Sequence, residues 1–298
     1  MFRNLFANVR AKSPLVHNIT NYVTVNDCAN IVLACGASPI MADDAAEVED
    51  ITSLCAGLNL NIGTLNSRTI PSMLLAGHTA NRLGRPVVLD PVGAGASHLR
   101  TETALRLLRE VKFTVIRGNI SEIRTLAAGS GTTKGVDADT ADKVTDETLD
   151  KTVAFAKAFA ARTGAVVAVT GAIDIVADGE RAFCIRNGHP MMSAVTGTGC
   201  QLSALTAAFC AANPDKPLEA AAAAVCAMYL CPRKASVREN TSRGMRVSGA
   251  RLLPLTVSEI YKQLISGRGI YVLAAALAVR CVVSAVYYRQ PSGSTEEV

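Results

Sequence analysis

The residues Val195-Thr196-Gly197-Thr198-Gly199-Cys200-Gln201-Leu202-Ser203-Ala204 form the stretch whose types and spacing point most directly to chemistry. A short apolar segment passes through a glycine turn into an alanine-rich run that reads as a helix from about Cys200 to Ala212. Glycines on either side of a small hydroxyl residue leave backbone N–H groups uncovered where that helix begins. The helix dipole adds positive charge at the same point, so the turn favours an anion. Cys200 falls in the first turn, where the same field favours a thiolate. A sulfur beside an anion cradle suits phosphoryl transfer. The stretch also suits a glycine-softened turn around a packed cysteine, and glycine motifs match often by chance.

Two carboxylates invite a second pair of readings. Asp90-Pro91-Val92-Gly93-Ala94-Gly95 follows an apolar strand directly. A carboxylate there suits an outer-shell partner of Mg²⁺, which keeps several waters, or an aspartate that opens a turn. In Asn119-Ile120-Ser121-Glu122, Glu122 either faces a metal hydration shell or closes a capping box on Asn119. Arg117, just before it, carries the planar permanent charge that phosphate contacts use. Phosphoryl transfer depends on positioning, a metal and charge neutralisation more than on covalent chemistry, and this set supplies each. His17, His78, His98 and His189 show no metal-ligand spacing. No GxxxxGK[ST] run occurs, which disfavours P-loop chemistry.

Positioning such groups requires a scaffold, and the chain alternates strands with helices. Strands are expected at Leu15–Asn21, Ser38–Ala42, Leu58–Thr64, Pro86–Asp90, Phe113–Asn119 and Ala165–Gly171. Helices are expected at Val23–Ala34, Ile70–Leu83, Ala104–Glu110, Ser121–Ala128 and Thr148–Thr163, with Gly36 stopping the first of them. Ile173–Ile185 reads as a hairpin with Asp178-Gly179 at its tip, and Gly129–Asp146 as a surface loop. The alternation predicts an α/β fold, a mostly parallel sheet flanked by helices on both faces. Ligands bind beyond the carboxyl ends of such strands. Asn21, Met41, Gly63, Asp90, Asn119 and Thr170 should therefore share one rim, with the Gly197–Cys200 turn in reach.

Composition narrows the function classes. The 298 residues are 49% hydrophobic but only 4% aromatic, with no tryptophan, which argues against a stacking platform for nucleic acid. The net charge of +5 belongs to the C-terminal segment: Tyr229–Val298 holds ten basic and four acidic residues, against 20 and 21 before it. No nucleic-acid partner is expected of the main body. Nine scattered cysteines without a CxxC pair suggest reduced thiols in a cytoplasmic setting. Ile270–Tyr288 is nearly long enough to span a bilayer, but Arg280 interrupts it, so no membrane partner is expected.

Six ordered motifs carry a resemblance: Ser13–Val23, Gly36–Met41, Asn61–Leu65, Asp90–Gly95, Arg117–Glu122 and Val195–Cys200. Over roughly Leu5 to Met228 the chain resembles the hydroxyethylthiazole kinases of the ribokinase-like superfamily, enzymes of thiamine salvage. The resemblance implies a ribokinase-like fold and transfer of the ATP γ-phosphoryl group to 4-methyl-5-(2-hydroxyethyl)thiazole. It places Met41 and Gly197 on the thiazole with Asn21 and Gly63 nearby, Arg117 and Thr170 on ATP, and Asp90 and Glu122 around Mg²⁺. Gly197, Thr198, Gly199 and Cys200 would form the catalytic anion hole. Cys200 stands where most ribokinase-like enzymes carry an aspartate base, as it does in this closer family. A homotrimer with pockets between neighbours is implied as well. From Tyr229 the resemblance stops, so residues 1–228 are expected to form the kinase domain and 229–298 a divergent segment. The alternatives are a thiazole-binding protein with weak turnover and a hydroxymethylpyrimidine-type kinase.

Overall fold

The computed structural model describes residues 2–129, 144–186, 192, 194–239 and 285–288. Six parallel strands form one side of a single sheet: β1 (Leu15–Ile19), β2 (Ser38–Met41), β3 (Gly57–Asn61), β4 (Val87–Asp90), β5 (Val115–Asn119) and β6 (Val166–Thr170). Three antiparallel strands extend it: β7 (Asp174–Ala177), β8 (Ala182–Ile185) and β9 (Ala285–Tyr288). The order across the sheet is β2-β1-β3-β4-β5-β6-β7-β8-β9. The β7–β8 hairpin turns at Asp178-Gly179, where the Asp178 side chain accepts from the backbone of Glu180 and Arg181.

Helices cover both faces. One layer holds α1 (Arg3–Lys12), α2 (Val25–Cys35), α8 (Thr198–Ala212) and α9 (Pro217–Glu239). The other holds α3 (Val48–Leu54), α4 (Thr69–Arg82), α5 (His98–Glu110), α6 (Ile120–Ala128) and α7 (Leu149–Thr163). The apolar core divides accordingly. Val16, Val88, Val115, Val166 and Ala168 face α8, whereas Leu58, Leu60, Val87, Leu89, Ile116 and Val167 face the opposite layer. Since side chains alternate along a strand, Asn61, Asp90, Arg117 and Thr170 all project toward α8. That helix is buried on every side, only Thr198, Gly199 and Ala211 being part-exposed. Its all-round apolar surface suits a helix enclosed between the sheet, α1, α2 and α9.

Two expectations shift, and one further helix is present. The helix α8 starts at Thr198 rather than Cys200, because the Gly197-Thr198-Gly199 run that looks like a turn already supplies its cap and first residues. The helix α5 starts at His98 rather than Ala104, since the Ser97 side chain accepts from Arg100 N and caps it. The helix α9 was not read at all, and it runs through residue 228 without a break. The loop expected at 129–146 lies mostly outside the described residues, as does all of Ile270–Tyr288 except β9.

Among the described residues Cys28, Cys35, Cys55, Cys184, Cys200 and Cys210 are free thiols, all but Cys35 of them buried. Burial pushes the thiols of Cys28 and Cys210 up to about 12 and those of Cys35, Cys55 and Cys184 up to about 11.

Candidate active site

The start of α8 is open by construction. Gly197 caps it with φ +82°, a left-handed conformation that costs a side-chain-bearing residue but not glycine. A Cβ there would also collide with Thr24 Cγ2. Glycine has no side chain to accept from the first-turn N–H groups, and the turn contains no acidic residue. Those donors therefore point outward at the positive end of the helix. At Gly199 a Cβ would stand 2.6 Å from Arg117 NH1. The missing side chain lets the guanidinium press against the turn from below, adding a full positive charge to the helix field.

Strand register builds the floor of the site. Asn61 is paired with Asp90 across β3 and β4, and Arg117 lies one residue beyond the Leu89–Ile116 pairing. Three polar side chains thus form a row under α8. Asp90 is completely buried. Its Oδ2 accepts from Asn61 Nδ2 at 2.8 Å and Ser203 Oγ at 2.8 Å, and Arg117 NH1 lies 3.4 Å from both carboxylate oxygens. Arg117 also donates to Thr170 Oγ1 at 2.8 Å. Burial raises the Asp90 carboxyl above its ordinary range, while Arg117, Ser203 and Asn61 pull it back. A buried pair of this kind is held by its hydrogen bonds, and loss of one partner would cost about 3–5 kcal/mol.

Glu122 satisfies both of its sequence readings at once. Its Oε2 accepts from Asn119 N at 2.8 Å while Asn119 Oδ1 accepts from Glu122 N at 2.8 Å, a complete capping box. Its Oε1 accepts from Gly93 N at 2.9 Å, which ties the turn after β4 to the start of α6. Burial raises its carboxyl, and the charge of Asp90 raises it further. Two mutually repelling carboxylates with Arg117 between them leave negative charge to be balanced, and their oxygens are the hard donors that magnesium takes. The residues fit such an ion. Among the described residues no three His, Cys, Asp or Glu side chains converge as a ligand set, so water or phosphate would complete its shell.

Cys200 is buried at the first turn of α8. Asn21 Nδ2 donates to its sulfur at 3.2 Å. The helix field does not decide its ionisation. Burial pushes the thiol up and Asp90 pushes the same way, against hydrogen bonds from Asn61, Thr24 and Asn21. The expectation of a favoured thiolate is therefore corrected: the group is a thiol at neutral pH, because desolvation outweighs the positive turn.

Most of the residues singled out from sequence meet here. Asn21, Gly63, Asp90, Arg117, Thr170 and Cys200 join through the bonds above and through Asn61, Glu122 is tied to the turn after Asp90 through Gly93 N, and Gly197 packs on Thr24. Met41 ends β2 beside Asn18, half-buried, with no recorded hydrogen bond into this network. Sequence reasoning missed Asn61, Ser203 and Thr24. Two of them left a signal: Asn61 alternates with leucines in a strand, and Ser203 lies nearly one helical turn after Cys200.

The sequence model of the hydroxyethylthiazole kinase family matches residues 6–252. Hydroxyethylthiazole kinase from Clostridium acetobutylicum is 67% identical over 231 residues, covering 78% of this chain and 85% of its own. The solved structure of hydroxyethylthiazole kinase from Pyrococcus horikoshii OT3 superposes with a TM-score of 0.73 at 36% identity, covering 88% of this chain and 92% of that one. The pyridoxal kinase of Staphylococcus aureus, solved with ADP, shares the fold at a TM-score of 0.50 and 15% identity, over 72% of this chain and 85% of its own. An open helix start above a buried Asp–Arg pair thus sits in a ribokinase-like α/β frame, and the chain belongs to the hydroxyethylthiazole kinase family.

Proposed function

We propose that this chain transfers the γ-phosphoryl group of ATP to the primary hydroxyl of 4-methyl-5-(2-hydroxyethyl)thiazole, the activity carried by the family to which it belongs. The observation that carries the reading is the uncapped start of α8, with Arg117 pressed beneath it and Cys200 in its first turn. Backbone N–H groups and a guanidinium there stabilise charge that develops on a transferring phosphoryl group.

Met41, Asn21, Gly63 and Gly197 bind the thiazole alcohol, and Arg117 with Thr170 binds ATP. Asp90 and Glu122 would hold Mg²⁺, which when bound neutralises phosphate charge. The Gly197–Cys200 turn receives the transferring group. Only the thiolate fraction of Cys200 can take the hydroxyl proton, and it does so late, since a loose transition state needs little early deprotonation. The chain works as a homotrimer, a reading supported by Tyr22 and Val23, which stand 77% and 58% exposed beside Asn21. Large apolar side chains so exposed suit burial against a neighbouring subunit.

The test is release of ADP and formation of the phosphorylated thiazole, with hydroxymethylpyrimidine as competing acceptor. Phosphorylation of the pyrimidine alone would reject the acceptor assignment. Tight thiazole binding without ADP release would reject the kinase. Light scattering on the same preparation checks the trimer.

A further inference from the structure

Asn61 ends β3 fully enclosed beneath α8. Chemistry fixes the orientation of its amide. Gly63 N–H can only donate, and it reaches Asn61 Oδ1 at 2.9 Å. The same oxygen accepts from Asn21 Nδ2 at 3.1 Å. Nδ2 consequently faces the opposite way and donates to Asp90 Oδ2 at 2.8 Å. Asn21 extends the chain further, its Nδ2 reaching Cys200 Sγ while its Oδ1 accepts from the backbone and hydroxyl of Thr24.

One planar amide therefore touches both halves of the site. On one side stand Asn21 and Gly63, read above as alcohol-binding. On the other stands Asp90, joined to Arg117 and Ser203. Ser203 reaches Asp90 as closely but is not bonded to the alcohol side. Thr24 serves the alcohol side and is not bonded to Asp90. Among the described residues only the Asn61 amide bonds directly to both.

We propose that Asn61 is a positioning residue that sets the distance between the alcohol-binding turn and the phosphoryl-binding carboxylate. It acts through Asn21, Gly63 and Asp90 rather than on substrate. The proposal rests on the thiazole kinase reading. In-line transfer tolerates little misplacement, an error of about 1 Å costing on the order of a hundredfold in rate. A residue that only satisfied a buried carboxylate would affect folding instead.

The experiment uses the full chain and two variants. Asn61→Asp keeps an acceptor for Gly63 and Asn21 but turns an oxygen toward Asp90. Asn61→Ser removes both connections with a small polar side chain. ADP release gives kcat and KM, calorimetry gives the thiazole Kd, and thermal melting gives the folded fraction. The expected result is a fall in kcat of about a hundredfold in both variants, corrected for folded protein. Thiazole KM and Kd should stay within about threefold of the parent. Combining Asn61→Ser with Asn21→Ala should lower kcat by no more than about threefold beyond the worse single variant, because the two act in one chain of bonds. Parent-like kcat in either variant overturns the proposal. So does a loss of kcat that merely follows loss of folded protein, or the absence of a melting transition in both variants, each of which makes Asn61 a residue of the core. A parent chain that binds thiazole without phosphorylating it overturns the kinase reading itself, and this inference with it.

Discussion

Two helices begin on the same rim of the sheet and treat their first N–H groups in opposite ways. The helix α6 is closed: Asn119 accepts from Glu122 N, and the Glu122 carboxylate returns to Asn119 N. The helix α8 is open: its cap is a left-handed glycine and its first turn holds no acid. In α6 the protein's own carboxylate answers the helix dipole. In α8 the dipole is left for something that arrives from solution. A helix start becomes an anion site, on this comparison, when the chain withholds its cap and places nothing negative in the first turn.

The sharpest way to break the contrast is to close α8. Gly197→Ser supplies a capping hydroxyl but must adopt φ +82° and meet Thr24. We expect kcat to fall by about a hundredfold or more, the usual result of losing an oxyanion donor. A capped α8 with parent-like turnover, measured by ADP release, would end the anion-hole reading.

The next variant leaves α6 closed but removes its charge. Glu122→Gln can still cap Asn119, so thiazole affinity should hold. Turnover at limiting magnesium should fall by roughly 10–100-fold, the range seen when groups around a metal are altered. A second readout avoids activity altogether. Asp90 and Glu122 both titrate above their ordinary values of 3.8 and 4.5 in the folded protein, so they hold protons that the unfolded chain has released. Their contribution to stability is complete below those ordinary values and is lost as pH rises through the folded ones. Magnesium added at neutral pH should therefore raise the melting temperature of the parent more than that of the variant. Equal shifts would return Glu122 to capping alone.

Cys200 should matter less. Its thiol is held above the ordinary range by burial and by Asp90, so little thiolate exists at neutral pH. Cys200→Ala should cost well under the ~100-fold typical of a general base. The gap to the parent should widen as pH rises, and Cys200→Asp should move the rise in turnover to lower pH. A parallel, pH-independent loss in the alanine variant would make Cys200 a packing residue.

The smallest effect is expected where the contrast is purely structural. Asn119→Ala opens α6 and should cost about 1 kcal/mol in denaturant unfolding. Thiazole affinity should not change. A much larger loss would show that the cap also holds the Gly93 turn in place.

What could be read before folding was the periodic part. Runs of Val, Leu and Ile ending in Asn21, Gly63, Asp90, Asn119 or Thr170 give strands with their carboxyl ends on one rim, because a parallel sheet aligns them. Glycine spacing exposed the α8 start for the same local reason. What could not be read was pairing across the chain. Asn61 opposite Asp90, and Ser203 reaching it over 113 positions, depend on strand register and helix placement. The state of Cys200 was misjudged because a local dipole can be inferred from sequence while desolvation cannot. Helix α9 escaped because its alanines are buried by neighbours rather than patterned by amphipathicity.

The buried thiols have a practical consequence. Cys28 and Cys210, with pKa values pushed to about 12, react with alkylating reagents only when the fold opens. They sit on the buried faces of helices α2 and α8 and belong to the same core cluster. A pulse of thiol reagent followed by mass measurement would therefore count opened molecules directly. Bound thiazole and ATP should slow that modification, the logarithm of its rate falling in step with the folding free energy they add. The cysteines make the chain its own reporter of ligand binding, including for variants whose turnover is too slow to assay.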